Sequence, residues 1–379
     1  MSARRRVEQT GASRRAGIRE IAKALNVSIG TVDRALHDRG RISPLTRRKV
    51  LQMAERLGYR PNLAARYLSS RREMRIACCL PREVASFFKL VGDGITAAAR
   101  ALEASGVVLV HHAYSRLGHG EARAVERALA DDIHGLIIAP GRPDRLEPLI
   151  HRATSRGIPT MCVSTDAPHT ERLGAVSVDP TTSGALVAEL MGRFLKGSGK
   201  VIVVTGSLST MDHAGKLEGF RRAIDEIWPK VRITSIVEAH DNEAEAYDKC
   251  LKVLTHQPDV AGIYVSTANS LPVIDALERR ALRDVALITT DLFPALVPLI
   301  ESGRIAATMH QRAWTQGRLA LQNLHRFLAE HIAPPDHVRL SPHIVMKSNL
   351  KLFLDRIQDQ ETGNRQPATG NGIRETRME

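Results

Sequence analysis

Two hydrophobic rhythms divide the chain. Across residues 17–57 the apolar positions recur at helical spacing in three short groups: Ile18, Ile21, Ala22 and Leu25; then Ile29, Val32, Ala35 and Leu36; then Val50, Met53, Ala54 and Leu57. This spacing predicts three amphipathic helices around one small core. The punctuation agrees. Asn26 suits the left-handed position that ends the first helix, Ser28 caps the second, and Ser43-Pro44 starts the third, which Gly58 ends. About three residues join the first two helices, the length of a helix-turn-helix connection.

After Arg75 the rhythm changes to short β-rich runs that alternate with helical ones. Strands are predicted at 75–80, 107–112, 135–139, 159–163, 175–178, 200–205, 232–238, 262–266, 285–290 and 306–310. Helices lie between most of them, among others 92–105, 121–130, 183–196, 217–227, 243–255 and 271–279. The alternation implies right-handed crossovers and parallel sheets covered on both faces, and its length fits two similar lobes better than one sheet. Ligands of such sheets bind beyond the carboxyl ends of the strands, so the residues just after each strand are the candidates for function.

Composition adds a charge asymmetry to this picture. The 379 residues are 43% hydrophobic and 25% charged, which fits a multidomain globular protein and excludes a disordered or fibrous one. Residues 1–75 hold 19 basic and 6 acidic side chains, so the whole net charge of +13 sits in the first fifth of the chain. A basic module that meets a polyanion, joined to a neutral body, is expected. Nucleic acid leads and an anionic membrane surface follows; no aromatic platform or large apolar face accompanies the charge, which disfavours RNA and membranes. No run of about eighteen apolar residues occurs, and no apolar stretch follows the N-terminal arginines, so a cytoplasmic location is expected. Residues 1–16 and 358–379 are polar and low in apolar content, and are expected to be disordered tails. Cys78, Cys79, Cys162 and Cys250 form no CxxC pair, and neither a metal site nor a disulfide framework is expected.

The N-terminal segment resembles the lactose-repressor (LacI/GalR) family of transcription regulators. The residues that carry the likeness are Ile18-Arg-Glu-Ile-Ala-Lys-Ala-Leu-Asn-Val-Ser28, Thr31-Val-Asp-Arg-Ala-Leu36, Ser43 to Thr46 and Leu57-Gly-Tyr-Arg-Pro-Asn-Leu-Ala-Ala-Arg-Tyr-Leu68. The resemblance implies a helix-turn-helix DNA-binding domain over 17–61 whose second helix enters the major groove. Ile29, Gly30 and Arg34 would then lie near bases, and Ser28, Thr31, Ser43, Thr46 and Tyr59 on phosphates. Residues 62–72, from Asn62, look like the family's hinge helix and linker. About two turns are too short to stand alone, so the hinge would form when paired with a dimer mate on DNA. The resemblance puts Leu68 as a wedge in the minor groove with Ala65 beside it. Gly30 and Asp33 depart from the larger polar residue and the Ser that relatives commonly carry, so base preference is not transferable.

Residues 73–357 resemble the two-lobed (type I) periplasmic sugar-binding-protein fold that the family joins to its headpiece, an effector-binding and dimerisation domain. Phe87-Phe88-Lys-Leu-Val-Gly-Asp93-Gly94 is similar to the ribose-binding branch, where paired aromatics stack on a sugar ring; core packing is the plainer role for the pair. Polar candidates follow the other strands: Asp166, Asp179, Asn269, Asp291 and Gln311. Asp212, His213 and Lys216 stand where many relatives carry an arginine. Carboxylates and amides that take hydroxyl protons, together with aromatic plates, suit a neutral polyhydroxylated ligand.

The rival reading from another class is an α/β enzyme, or a sensor for a non-sugar ligand, fused to a DNA-binding domain. Lys196-Gly-Ser-Gly-Lys200 hints at a phosphate loop, but Phe194 occupies the first glycine position, Val201 replaces Ser or Thr, and a strand follows. No GxSxG, GxGxxG after a strand or HExxH occurs, and His111-His112 ends a strand with the two rings on opposite faces. The sequence is therefore read as a cytoplasmic, homodimeric repressor with no cofactor, which binds a palindromic double-stranded DNA operator under control of a sugar or polyol. No apolar heptad run follows Leu354, so a dimer rather than a coiled-coil tetramer is expected.

Overall fold

The computed structural model of the chain describes residues 18–36, 42–57 and 73–354. Both expected tails and the hinge segment lie outside the described residues, and so do Gly58, Tyr59, Asn62, Ala65 and Leu68. The chain divides into an N-terminal unit and a body that begins at Met74.

The N-terminal unit consists of α1 (Ile18–Leu25), α2 (Ile29–Leu36) and α3 (Pro44–Arg56). Ile21, Val32 and Val50 are fully buried and meet Ala22, Ala35 and Ala54, with Leu25, Leu36 and Met53 packed around them. One large residue from each helix thus meets small neighbours, which lets three short helices close on one another. Asn26 takes φ +50° at the end of α1. The Ser28 Oγ accepts the Thr31 N–H at 3.0 Å, and the Ser43 Oγ accepts the Thr46 N–H at 3.1 Å. Both helix starts expected from the sequence are therefore capped by the expected serines.

The body contains two six-stranded sheets. The first runs β11-β5-β4-β3-β1-β2, with β1 (Met74–Cys79), β2 (Val107–His111), β3 (Gly135–Ile138), β4 (Thr160–Val163), β5 (Gly174–Val178) and β11 (His337–Leu340), and its pairings are parallel. The second runs β12-β10-β9-β8-β6-β7, with β6 (Ser198–Thr205), β7 (Lys230–Glu238), β8 (Gly262–Val265), β9 (Ala286–Thr290), β10 (Ala307–His310) and β12 (His343–Val345). Its one antiparallel pairing is β10 with β12. β3, β4, β5 and β8 are buried at every position, as parallel strands covered on both faces must be.

Helices cover both faces of each sheet. In the first lobe α4 (Ala85–Ala101) packs on α12 (Ala313–Glu330), while α5 (Glu121–Ala130) and α6 (Pro143–Ser155) pack together. In the second, α7 (Pro180–Phe194) packs on α8 (Met211–Ile227), and α9 (Glu243–His256) on α10 (Ser270–Arg279); a short α11 (Val297–Glu301) follows β9. The two main helix pairs are close-packed through glycine in the same way. A Cβ on Gly94 would lie 2.0 Å from the Trp314 carbonyl oxygen and one on Gly317 2.0 Å from that of Val91. In the second lobe Gly184 and Gly219 stand in the same relation to Lys216 and Thr181. The chain crosses between lobes three times: from β5 into α7, from β10 into α12, and from β11 into β12.

The ten expected strands are present with ends moved by one or two residues, and two further strands, β11 and β12, were not expected. Several helices start earlier than expected: α4 at Ala85 rather than 92, α7 at Pro180 rather than 183, and α8 at Met211 rather than 217. These earlier turns bring the ligand candidates onto helix N-termini. Strand β6 begins at Ser198, inside Lys196-Gly-Ser-Gly-Lys200, where a phosphate loop would need a helix to follow.

Candidate functional site

The carboxyl ends of the strands of both lobes face one cleft of about 420 Å³, part of it open to solvent. The first lobe contributes Val84, Phe87 and Phe88 at the start of α4, Leu117, and Ser164 and Thr165 after β4. The second contributes Asp212, His213 and Lys216 from the first turns of α8, Asp241 beyond β7, Ser266 to Ala268 after β8, Asp291 after β9 and Gln311 after β10. The Phe87 and Phe88 rings are buried and meet edge to face, centroids 5.0 Å apart. Backbone strain collects at the same strand ends: Ser164, Asp241 and Asp291 have φ of +70°, +53° and +71°. Side chains other than glycine hold this conformation at a cost, and it turns each residue out of line with its strand.

A polar chain ties the second lobe's part of the cleft together. The Lys216 Nζ, 2% exposed, donates to Asp212 Oδ2 at 2.6 Å, to Gln311 Oε1 at 2.7 Å and to the Ser266 carbonyl at 3.4 Å. The Gln311 Nε2 donates to Asp291 Oδ1 at 2.9 Å. Burial pushes the Asp291 carboxyl up to about 6; Lys216 and the Gln311 hydrogen bond pull it down, and the Asp212 and Asp241 carboxylates push it further up. Gln311 also lies on a crossover: its carbonyl accepts from Gln316 Nε2 at 2.6 Å in α12 of the other lobe.

The lobes touch at the cleft's edge. The Thr210 hydroxyl donates to the Gly141 carbonyl at 3.1 Å, and the Asp212 N–H to the Thr165 hydroxyl at 3.4 Å. Glu121, buried at the start of α5, holds the Gly141 loop. Its Oε2 accepts from the N–H groups of Gly118 at 3.2 Å and Gly141 at 2.8 Å, and its Oε1 from that of Arg142 at 2.7 Å. Burial raises this carboxyl more than the three N–H groups lower it.

Seven of the ten ligand candidates, Phe87, Phe88, Asp212, His213, Lys216, Asp291 and Gln311, line the cleft together. Three do not line it: Asp166 and Asp179 are spent on other partners, which corrects the expectation for those two, and Asn269 lies just outside. Asp166 is committed to Arg172, whose Nη2 donates to Oδ2 at 2.8 Å, and to the Ala167 N–H at 2.7 Å. Asp179 caps α7 through the Thr182 N–H at 2.7 Å and approaches Arg339 at 3.4 Å, clamping two of the crossovers. Asn269 occupies the N-cap position of α10, next to the cleft residue Ala268 but outside the lining. Ser164, Thr165 and Asp241 were not anticipated. The strand-end rule would have found Asp241 had it been applied past the edge strand β7.

In the N-terminal unit Ile29 is 51% exposed, and Gly30 and Arg34 are exposed beside it on α2. The Arg34 Nε donates to the Gly30 carbonyl at 3.1 Å. Arg47, Arg48 and Lys49 are exposed on α3. The Ser28 and Thr31 hydroxyls meet at 2.8 Å at the start of α2, and those of Ser43 and Thr46 at 2.8 Å at the start of α3. A helix N-terminus with exposed serine hydroxyls and nearby cations suits a phosphate.

Known proteins resemble both units. Residues 17–62 match the family described as bacterial regulatory proteins, lacI family, and residues 76–331 match the periplasmic binding protein domain family. Catabolite control protein A of Priestia megaterium is 25% identical over 345 residues, 88% of this chain and 99% of that protein. The HTH-type transcriptional repressor PurR of Escherichia coli is 23% identical over 350 residues, 88% of this chain and 97% of the repressor. GanP, a glucose-galactose binding protein from Geobacillus stearothermophilus, superposes with a TM-score of 0.68 at 25% identity, over 74% of this chain and 99% of that one. A solute binding protein from Burkholderia graminis in complex with D-arabinose gives a TM-score of 0.68 at 22% identity, over 73% and 97%.

Proposed function

The chain belongs to the periplasmic binding protein family and carries a lacI-family regulatory module at its N-terminal end; from that premise we propose that it is a repressor of transcription which binds a palindromic operator as a homodimer and is controlled by a sugar or polyol in the cleft. The observation that carries the reading is the cleft itself. Two aromatic rings from one lobe face a hydrogen-bonded set of carboxylate, amide and ammonium groups from the other, the equipment that a polyhydroxylated ring needs.

In this reading α2 lies in the major groove with Ile29, Gly30 and Arg34 at the bases, while Ser28, Thr31, Ser43 and Thr46 hold phosphates. Ligand favours the state in which the lobes are drawn together, and the difference in its affinity for the two states is what can shift DNA binding. Gln311 is placed to report occupancy, because its side chain bonds Lys216 and Asp291 while its carbonyl bonds the other lobe. The protein works as a binding protein rather than an enzyme, and in the cytoplasm, where its operator is. Among the described residues no helix is long and apolar enough to cross a membrane.

Thermal unfolding of the full chain against pentoses, hexoses and polyols tests this, since a ligand of the native state alone raises the midpoint. A rise with a member of this panel that is lost in Asp291→Ala and in Phe88→Ala is expected. A rise that survives both substitutions places the ligand elsewhere and overturns the assignment of the cleft.

A further inference from the structure

The cleft carries more negative than positive charge, and its one lysine is already used. Among the described residues lining it, Asp212, Asp241 and Asp291 are carboxyls and Lys216 is the sole Lys or Arg. Lys216 spends its donors on Asp212, Gln311 and the Ser266 carbonyl. Asp291 receives the Gln311 amide. Asp241 has neither kind of support. Its side chain is 6% exposed, and among the described residues its ion-pair neighbour is the His213 imidazole, 3.9 Å away and past hydrogen-bond reach. Across the cleft the Ser164 hydroxyl, 8% exposed and on a strained backbone, has no hydrogen-bond partner.

A buried hydroxyl without a partner and, facing it, a carboxylate whose recorded ion-pair contact is a distant imidazole point to a ligand that supplies what they lack. Asp241 needs a cation or a strong donor, and the excess of carboxylates repels an anion. The Phe87 and Phe88 rings can cover C–H faces and also tolerate a cation over a ring face. Resting on the reading of this cleft as the effector site, we propose that the effector is a polyol bearing a protonated amine, an amino sugar or aminocyclitol. Its ammonium group meets Asp241 and a hydroxyl meets Ser164. Sugar phosphates and sugar acids are refused.

The test is calorimetric titration of the full chain with matched sets: D-glucose, D-glucosamine, N-acetyl-D-glucosamine and D-glucose 6-phosphate; D-galactose and D-galactosamine; D-sorbitol and 1-amino-1-deoxy-D-sorbitol. The amine of at least one set is expected to bind about tenfold more tightly than its neutral parent, a difference that salt weakens. The phosphate should give no heat of binding. Asp241→Asn should remove the amine's advantage and leave the neutral parent within about threefold of its original affinity. If that variant fails to fold, the salt dependence on the unaltered chain decides: an advantage that does not shrink with ionic strength overturns the proposal. Neutral parents that bind as tightly as their amines also overturn it and leave the cleft assignment standing. Binding of no compound in any set overturns both.

Discussion

Lys216 lies at the centre of the cleft's electrostatics, and replacing it with Met should expose how much of the body depends on one buried charge. Met keeps the length and the apolar stem and removes the ammonium. Asp212 Oδ2 then loses a donor at 2.6 Å and Gln311 Oε1 one at 2.7 Å, while Asp291 loses the nearby cation that restrains its carboxyl. Breaking a buried ion pair by deleting one partner costs about 3–5 kcal/mol. The Asp212 side chain keeps 12% of its exposure and can recover some hydration, so the lower end applies, about 3 kcal/mol. For a body of this size that is a fall in melting temperature of about 6–12 °C. The control is the double variant Lys216→Met with Asp212→Asn. Removing the stranded carboxylate should return at least about half of the loss, because most of the cost is an unpaired charge rather than a missing bond. Urea and thermal unfolding of the full chain measure both. A single variant that melts within about 1–2 °C of the parent, or a double variant no more stable than the single, refutes the argument that Lys216 holds the Asp212 charge in the cleft.

Three other outcomes follow from named contacts. Asp291 titrates near 6 in the folded chain against its usual 3.8, so the folded state holds the proton more tightly and stability falls as pH rises from about 4 through 6, by about 3 kcal/mol; Asp291→Asn should flatten that part of the pH profile in thermal melts. Gly94→Ala puts a Cβ 2.0 Å from the Trp314 carbonyl oxygen, a backbone atom that cannot rotate away, and should lower the urea midpoint by an amount equivalent to about 1–3 kcal/mol. Arg34→Ala on the exposed face of α2 should cost about 1–3 kcal/mol on the preferred DNA sequence and relax preference at one base position, whereas loss of a phosphate contact would instead reduce the slope of log affinity against log salt by about one; competition binding at several salt concentrations separates the two.

The body's strands were legible because parallel strands covered on both faces read as continuous apolar runs, and β3, β4 and β8 are such runs. β11 and β12 escaped because they are only three or four residues long, too short for their Val338 and Ile344-Val345 to show a strand pattern. Their role is tertiary: they finish the sheet edges and carry the third crossover. The start of α8 was read late because its first turns are spent on the cleft, where Asp212, His213 and Lys216 are polar; Phe87 and Phe88, by contrast, extend the buried stripe of Val91 and Ile95 toward the start of α4. Looking just after each strand found Asp291 and Gln311. The same rule misplaced Asp166 and Asp179, because a carboxylate at a strand end is equally suited to cap the next helix or to pair with an arginine brought in by folding. Arg172 is six residues from Asp166 and Arg339 is far along the chain from Asp179, and no local pattern announces either pairing. Glu121 shows the same limit: its three N–H partners come from two loops that meet only in the folded lobe.

Occupancy of the cleft is expected to change the affinity of the N-terminal helices for a particular DNA sequence. The direct measurement is to recover the duplexes that the full chain retains from a random pool, and then to titrate the enriched duplex by fluorescence anisotropy with and without a compound shown to raise the melting temperature. A two-fold symmetric enriched sequence is expected, with an affinity that such a compound changes by about fivefold or more in one direction. An enriched sequence whose affinity is the same with the cleft empty and filled, or a pool with no enriched sequence at all, would contradict this.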